Sequence, residues 1–481
     1  MSAMASRSRP ARVIGSTIVL AAAAVSALAA VAASSLLGGM LDDRWATFGR
    51  TGFVGLVAWL LPMLLIGAGI VSLRRVSEGT LARWTPAAPL VLLVLVRVGA
   101  ILLAPTPLPA DNDPRYLHEL AVGVLDGGNP VVAPRPMGYS TLLATLYAAF
   151  GVHPFLAEIL NLGAAALAGW ALFTLVDRRW GRRAAALAVF VYAIVPSQVL
   201  LVTTIFTETV YAALLLSAIA LAGRGVAANR TLVVAGAGLV LALSQYVRPL
   251  SQAFLAIFAA TPLLTARRWT RGAILAVAIS CTFLVAVTPI VVNNATVHGA
   301  LSLSSSSYGG WSLFVGANQE HDGRFNPDDQ AILAATPRRT VWEQSERFGQ
   351  LGIERITSDP AAFAELAVRK FRVLWADDTY AVSNAFPGWE PMSIRHDALR
   401  MLSQTVYVGV VVLAALGFWQ SRLDPSPVVL LLAGVLVIVA AAHIFVEVQP
   451  RYHAYIVPFL CAMAALPLAG RRQAPQTPAS A

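Results

Sequence analysis

The sequence predicts an all-α polytopic integral membrane protein, a bundle of about twelve transmembrane helices. Two observations point to this class. Apolar residues make up 57% of the 481 positions and charged residues only 12%, whereas soluble domains average about 45–50% and ~25%. The mean hydropathy is +0.68, and the apolar residues fall in long runs. So few charges cannot cover an aqueous surface of this size, which excludes a soluble globular enzyme.

The apolar runs divide the chain into segments. A helix rises 1.5 Å per residue, so about 20 residues cross ~30 Å of hydrocarbon. Twelve spans are predicted, at residues 13–37, 53–73, 86–104, 155–176, 184–203, 208–223, 231–247, 250–265, 272–292, 401–419, 427–447 and 452–469. The predicted segments are N-terminal transmembrane helices at 1–104, an external first loop at 105–154, a transmembrane core at 155–293, an external loop domain at 294–400, C-terminal helices at 401–470 and a disordered tail at 471–481.

The arginines predict the orientation. With the N-terminus inside, the predicted cytoplasmic segments hold eighteen arginines and the short external segments hold six. Cytoplasmic loops of membrane proteins carry an excess of basic residues. This bias explains most of the net charge of +10. The basic residues therefore give no separate evidence for nucleic-acid binding. The first run also fits a signal peptide, but its apolar length exceeds the usual 7–15 residues and favours a retained span.

Two external segments are rich in polar residues. The first, 105–135, carries acids among prolines and glycines, and the second, 294–400, holds 13 of the 25 acidic residues of the chain. The second segment is long enough to form a water-facing domain. The apolar run 137–151 is too short to cross and predicts a helix in the outer interface.

One helix of the second segment has a clear start. Asp359 and Pro360 supply its N-cap and first-turn proline, and it runs to Trp375. Its apolar stripe consists of Phe363, Ala367, Phe371 and Leu374, flanked by Arg369, Lys370 and Arg372. Such a stripe fits a helix resting on the outer leaflet or one packed on its own loop domain.

Charged residues near the spans mark a candidate site, because ionisable groups in a membrane are costly. Those at the predicted outer ends are Glu158, Glu208, Arg248, Glu447 and Arg451, at the depth of Asp111 and Asp113. Arg97 alone lies nearer the middle of a span. The pattern predicts a site open to the outside, and it argues against nucleotide-linked substrates, which are cytoplasmic.

The order of several short segments adds a resemblance. They are Ala110-Asp111-Asn112-Asp113-Pro114-Arg115-Tyr116, Gly127-Gly128-Asn129-Pro130, Arg135-Pro136-Met137-Gly138-Tyr139, Thr207-Glu208, Arg248-Pro249, Asn293-Asn294, Gly316-Ala317-Asn318, Asp359-Pro360 and Arg451-Tyr452. This order resembles the GT-C superfamily of membrane glycosyltransferases, in particular the protein O-mannosyltransferase and aminoarabinose-transferase-like group. The resemblance covers roughly residues 105–470.

The resemblance implies a reaction. Members of the group move a sugar from a polyprenyl-phosphate carrier to a glycan, lipid or protein acceptor outside the cytoplasm, so a multi-pass protein of the cell membrane that uses mannose or another hexose or pentose is expected. They use an acid of the first loop. The family's acidic pair is usually adjacent, whereas Asn112 separates the two acids here, so either Asp113 or Asp111 is the catalytic acid. Two additional spans also precede the loop.

Roles follow from the chemistry of the displacement. A base must take the acceptor proton, and cations must hold the charge that grows on the departing phosphate. Asp113, with Asp111 as the alternative, is assigned to the base, and direct displacement inverts the anomeric carbon. Residues assigned to the phosphate are Arg135, Arg248 and Arg451. Residues expected to orient the substrate are Glu208, Glu158, Tyr139, Tyr452, His453 and Asn318.

No cofactor is required in this scheme. Mg²⁺ or Mn²⁺ bridging Asp111 and Asp113 to the phosphate is an alternative, since these ions prefer oxygen ligands. The seven histidines show no spacing typical of a metal site. Cys281 and Cys461 lie in separate apolar runs, which argues against a disulfide framework.

Other functional classes remain as alternatives. A secondary transporter usually shows repeated halves and polar residues near the bilayer midplane, whereas this sequence shows no internal repeat and its charges, apart from Arg97, lie at one face. An envelope polysaccharide polymerase is a further alternative. A membrane scaffold accounts for the large loop but not for Glu208, Arg248 and Arg451 at one depth. The transferase is therefore favoured, while the sugar, the acceptor and the carrier length stay open.

Overall fold

The chain forms a helical bundle with no β-strand among the residues described in the computed structural model, which are 9–104, 113–129, 135–336, 340–386, 393–423 and 425–469. Side chains are described in these ranges except at residues 9, 42–59, 78, 82 and 394. Asp111 and the tail 471–481 lie outside them.

The described part holds twenty α-helices. They are α1 Arg9–Arg75, α2 Glu78–Trp84, α3 Ala87–Leu103, α4 Asp113–Leu125, α5 Gly138–Phe150, α6 Phe155–Trp180, α7 Arg182–Ile194, α8 Pro196–Leu200, α9 Glu208–Ala227, α10 Thr231–Val247, α11 Ser251–Thr265, α12 Trp269–His298, α13 Gly309–Gly316, α14 Pro327–Ala335, α15 Val341–Ser358, α16 Pro360–Ala376, α17 Tyr380–Ala385, α18 Ile394–Ser421, α19 Pro427–Phe445 and α20 Val457–Ala469. Two 3₁₀ helices, Leu201–Thr203 and Pro450–Ile456, precede α9 and α20.

The predicted class is confirmed, whereas the number of spans is not. Seven helices of the described part are long and apolar enough to cross a membrane, or eight if the pair Arg182–Ile194 and Pro196–Thr203, bent by 67°, counts as one span. Three predicted spans are apolar helices of fewer than 18 residues: Ala87–Leu103, Thr231–Val247 and Ser251–Thr265. The chain is a multi-pass membrane protein.

The two predicted spans 13–37 and 53–73 belong to one continuous helix, α1. The sequence has no proline between Pro10 and Pro62, so the backbone can stay helical through the polar stretch between the two runs. Gly15 near one end packs against Pro425, and Gly69 near the other packs against Phe190.

Contacts between distant segments show which helix ends lie together at the same face of the bundle. On one face, Gly15 lies at the start of α19 beside Pro425, and Gly223 at the end of α9 packs on Val428. Arg271, at the start of α12, donates from Nε to Asn229 Oδ1 at 2.7 Å. The turns on this face are the arginine-rich ones. Glu208 at the start of α9 and Arg248 just after α10 lie at the other ends of these helices.

Helix α16 begins at the predicted residue, because the Asp359 carboxylate accepts a hydrogen bond from the Ala362 backbone N at 2.9 Å. Its buried side includes Phe363, Leu374 and Trp375. The Phe363 ring lies 5.9 Å from that of Phe445 on α19. The apolar stripe is therefore packed against the transmembrane bundle, which differs from both sequence-based alternatives.

Close helix packing gives a testable prediction. A Cβ at Gly238 of α10 would lie 2.5 Å from the Ile279 carbonyl oxygen of α12. We expect Gly238→Ala to lower the free energy of unfolding by about 1–3 kcal/mol, because the two backbones must separate. The measurement is thermal unfolding in detergent.

The matched control lies two residues away on the same helix. A Cβ at Gly236 would meet nothing within 4 Å, so Gly236→Ala should leave stability unchanged or raise it slightly, since alanine favours helix over glycine. Equal effects of the two substitutions would contradict the close approach of α10 and α12.

Candidate active site

Asp113 is the first residue of α4 and binds two arginines. Its Oδ1 accepts a hydrogen bond from Arg135 Nη1 and its Oδ2 accepts one from Arg451 Nη2. A carboxylate in the first turn of a helix is favoured by the helix dipole, and proline at the second helical position continues the turn without an unused donor. The Arg451 contact joins residues 338 positions apart. Asp113 thus links the first loop to the segment that precedes the last helix.

Glu208 forms a second anionic group beside the first. It opens α9 and its side chain is only 1% exposed. Arg248, which follows α10, donates from Nη2 to Glu208 Oε1 at 2.5 Å and from Nε to Thr207 Oγ1 at 3.0 Å. Arg451 Nε lies 3.8 Å from the same Glu208 oxygen. Arg451 therefore lies between Asp113 and Glu208, and the five side chains form one cluster with three cations and two anions.

Aromatic rings hold the three guanidinium groups in place. The shortest guanidinium-to-ring distances are 4.6 Å from Arg135 to Tyr116, 4.7 Å from Arg451 to Phe206 and 5.3 Å from Arg248 to Tyr455. Tyr452 lies beneath two of the arginines, 5.5 Å from Arg248 and 5.7 Å from Arg451. Cations stacked on rings lose less freedom when they bind a ligand. The cluster is thus pre-arranged for an anion with several oxygens, such as a phosphate.

The two arginines control the charge of Asp113. Burial by itself would raise the pKa of Asp113, but the guanidinium groups of Arg451 and Arg135 outweigh it and hold that pKa well below its usual range. Asp113 is therefore ionised at any physiological pH. The same contacts make it a weak base in this arrangement, because basicity falls with pKa.

Glu447 is a third carboxylate at this face, and its position in the sequence predicted no specific role. Its Oε1 accepts hydrogen bonds from Gln449 Nε2 at 2.7 Å and from Tyr452 Oη at 3.4 Å. Burial raises the pKa of Glu447, partly offset by Gln449 and Arg451. The only sequence signal for it was its position at the outer end of a span, four residues before Arg451.

Four further residues predicted to orient the substrate are Tyr139, His453, Asn318 and Glu158, and all four are buried. Tyr139 is fully buried and its Oη is 3.4 Å from Asn161 Oδ1. His453 has Nδ1 at 2.6 Å from the Leu374 carbonyl and Nε2 at 3.1 Å from Asp378 Oδ1. Asn318 donates to Asp329 at 2.9 Å inside the loop domain. Glu158 is buried in the first turn of α6. The ring of Tyr452 lies beside Arg248 and Arg451, and Tyr139 is close enough to Glu208 for an electrostatic interaction.

The described residues do not make a good metal site here. No three His, Cys, Asp or Glu side chains among them are arranged to hold an ion. Asp113 has both carboxylate oxygens on guanidinium groups, which is the reverse of a free oxygen ligand. The other half of the predicted metal pair, Asp111, lies outside the described residues.

No protein-family model matches the chain, and no curated protein matches it. Among solved structures, it is similar to the archaeal oligosaccharyltransferase AglB from Archaeoglobus fulgidus in complex with an inhibitory peptide and a dolichol-phosphate, with 15% identity, a TM-score of 0.46, and coverage of 79% of this chain and 50% of that one. It is also similar to ArnT from Cupriavidus metallidurans bound to undecaprenyl phosphate, with 15% identity, a TM-score of 0.39, and coverage of 78% and 76%.

One of these structures contains a dolichol-phosphate and the other an undecaprenyl phosphate. The chain spans half the length of the oligosaccharyltransferase. The likeness concerns the fold alone.

Proposed function

We propose that the chain is a membrane glycosyltransferase that moves a sugar from a polyprenyl-phosphate donor to an acceptor hydroxyl at the extracytoplasmic face of the cell membrane. One observation carries the proposal. Arg135, Arg248 and Arg451 come from three distant parts of the sequence and meet around Asp113 and Glu208 at one face of a membrane bundle. A lipid can carry a phosphate to this depth, whereas a soluble nucleotide sugar would have to cross the membrane.

The charges of the cluster suit a phosphate. Three guanidinium groups and two carboxylates leave one positive charge, and a donor phosphodiester brings one negative charge. A guanidinium can bind two phosphate oxygens through parallel hydrogen bonds. Arg451 and Arg248 are largely buried, with side chains 8% and 18% exposed, so their attraction to a phosphate is screened less than at an open surface.

The reaction then proceeds by one displacement. The acceptor oxygen attacks the sugar C1, the bond from C1 to the phosphate oxygen breaks, and its electron pair stays on the phosphate. The arginines stabilise that charge as it grows, which is where preorganised cations lower a barrier most. Attack opposite the leaving group inverts the anomeric carbon. A carboxylate at the same face takes the acceptor proton, for which Asp113, Asp111 and Glu447 are the candidates.

Membranes containing the chain, assayed with a set of polyprenyl-phosphate hexoses and pentoses including mannose, test this proposal. We expect consumption of at least one donor, release of the polyprenyl phosphate and inversion seen by NMR of the product. A parallel assay after EDTA treatment is expected to keep its rate, because arginines supply the positive charge. If no lipid-linked sugar were consumed while a nucleotide sugar was, the donor class would be wrong.

A further inference from the structure

The segment between α19 and the 3₁₀ helix Pro450–Ile456 is fixed from outside the bundle. The Glu447 backbone N donates to the Ser312 carbonyl at 2.7 Å, and the Val448 N donates to the Gly323 carbonyl at 3.0 Å. A Cβ at Gly316 would lie 2.7 Å from the Glu447 N. These contacts come from α13 and the turn after it. The external loop domain therefore sets the position of Glu447.

Lys370, the single lysine of the chain, strengthens the same junction. Its Nζ donates to the Gly316 carbonyl at 2.7 Å and to the Ile444 carbonyl at 2.8 Å. In the sequence Lys370 flanks the apolar stripe of α16, and in the structure it is buried, with only 1% of its surface exposed. Lys370 thus joins α16, α13 and the end of α19 directly beneath Glu447.

The side chain of Glu447 differs from the other two acids in what its oxygens touch. Asp113 has a guanidinium on each oxygen, and Glu208 is held by Arg248 and Thr207. Glu447 has polar contacts on Oε1 only, and Oε2 accepts no hydrogen bond from any residue in the described ranges. Its side chain is only partly buried. Of these three carboxylates, Glu447 is the one with an oxygen free to receive a hydroxyl.

We propose that Glu447 is the proton acceptor of the transfer reaction, which rests on the proposed function. The acceptor hydroxyl donates to Oε2, and its proton moves to that oxygen as the hydroxyl oxygen bonds to the sugar C1. The bond from C1 to the phosphate oxygen breaks, and the electron pair leaves on the phosphate held by the arginines. Tyr452 Oη, at 3.4 Å from Oε1, joins the base to the phosphate-binding cluster.

The surroundings of Glu447 suit this role. Groups close enough to act on it are Gln449, Arg451, Asp113, Arg135 and Tyr452, with Lys370 of α16 on the other side. His443 of α19 has its ring 5.6 Å from Tyr452. Burial raises the pKa of Glu447 above its usual value, and Asp113 adds to the rise. A carboxylate whose pKa moves toward neutral is a better general base than one held by two arginines.

The test compares Glu447→Gln with a matched exposed position, Glu365→Gln on α16, in membranes supplied with the active donor. We expect Glu447→Gln to lower kcat by about 10²–10⁴-fold, the usual contribution of a general base, and to leave the affinity for undecaprenyl phosphate unchanged. Glu365→Gln should keep the wild-type rate. The wild-type kcat should fall as the pH drops through the raised pKa of Glu447. The pH profile of the Glu447→Gln variant should lack this acid limb.

Chemical rescue provides a second measurement. Formate should restore part of the rate of Glu447→Ala, because a small carboxylate can occupy the space of the lost side chain, and it should not restore Asp113→Ala. A Glu447→Gln enzyme with wild-type kcat, or one that keeps the acid limb, would overturn the inference while leaving the proposed function intact. Absence of donor consumption by the unmodified protein would instead overturn the proposed function, and this inference with it.

Discussion

Replacing Asp113 with asparagine is expected to lower the rate of sugar transfer by about 10²–10³-fold, the size of effect seen when one charged partner of a transition state is removed. Arg135 and Arg451 each bind one oxygen of this carboxylate. The neutral amide can accept from only one of them, so both cations lose their common anchor. The measurement is the initial rate of donor consumption in membranes, normalised to the amount of folded protein.

Asp126→Asn is the control for this substitution, since Asp126 is an exposed acid just after the same helix. It should keep the wild-type rate. The pKa of Asp113 is held well below its usual range, so its contribution to stability is fully present above the unfolded value near 3.8 and is lost only as the pH falls through the lower folded value. The difference in Tm between wild type and Asp113→Asn should therefore be constant from pH 5 to 8. Wild-type turnover in the variant would remove Asp113 from the site.

Replacing Arg451 is expected to affect both folding and activity. The side chain is 8% exposed and lies between Asp113 and Glu208. Glutamine at this position would leave the buried Glu208 and the partly buried Asp113 without their shared cation, and breaking a buried pair costs about 3–5 kcal/mol. Lysine keeps the charge but cannot bind both acids with one planar group. We expect Arg451→Gln to lower the Tm strongly and Arg451→Lys to fold but to bind undecaprenyl phosphate weakly.

The matched control is Arg347→Lys on α15, an exposed arginine of the loop domain. It should match the wild type in Tm, in binding and in rate. Thermal unfolding in detergent with and without undecaprenyl phosphate measures both effects. If Arg451→Lys kept the wild-type shift in Tm on addition of the lipid phosphate, the arginine cluster would not be the phosphate site.

Much of the fold could be predicted because the membrane constrains it. Long apolar runs must be helical in lipid, since every backbone group has to be paired within the segment. The start of α16 could also be predicted. Asp359 caps this helix by accepting a hydrogen bond from the Ala362 backbone N, only three residues away. Local signals of this kind need no knowledge of distant partners. The bounds of α3, α10 and α11 follow the predicted apolar runs within one residue, although these helices have fewer than 18 residues.

The site was predictable as a set of residue types at one depth, but its pairings were not. Asp113 and Glu208 stood out as acids near the outer ends of spans, and Arg135, Arg248 and Arg451 were assigned to a phosphate. That Arg451 binds Asp113 rather than an acid of its own loop depends on a contact across 338 residues. Glu447 received no role because its backbone is positioned by the loop domain, through Ser312 and Gly316.

The sequence by itself determined the membrane class, the helical periodicity and the face on which charge collects, because these follow from composition and from the cost of polar groups in lipid. Only the tertiary structure decided which carboxylates are held by arginines and which keeps an open oxygen. It also turned Lys370 and the apolar side of α16 toward the bundle. These contacts depend on long-range packing. Several arginines and carboxylates could pair equally well by their chemistry, and only their positions in the folded chain determine which of them do.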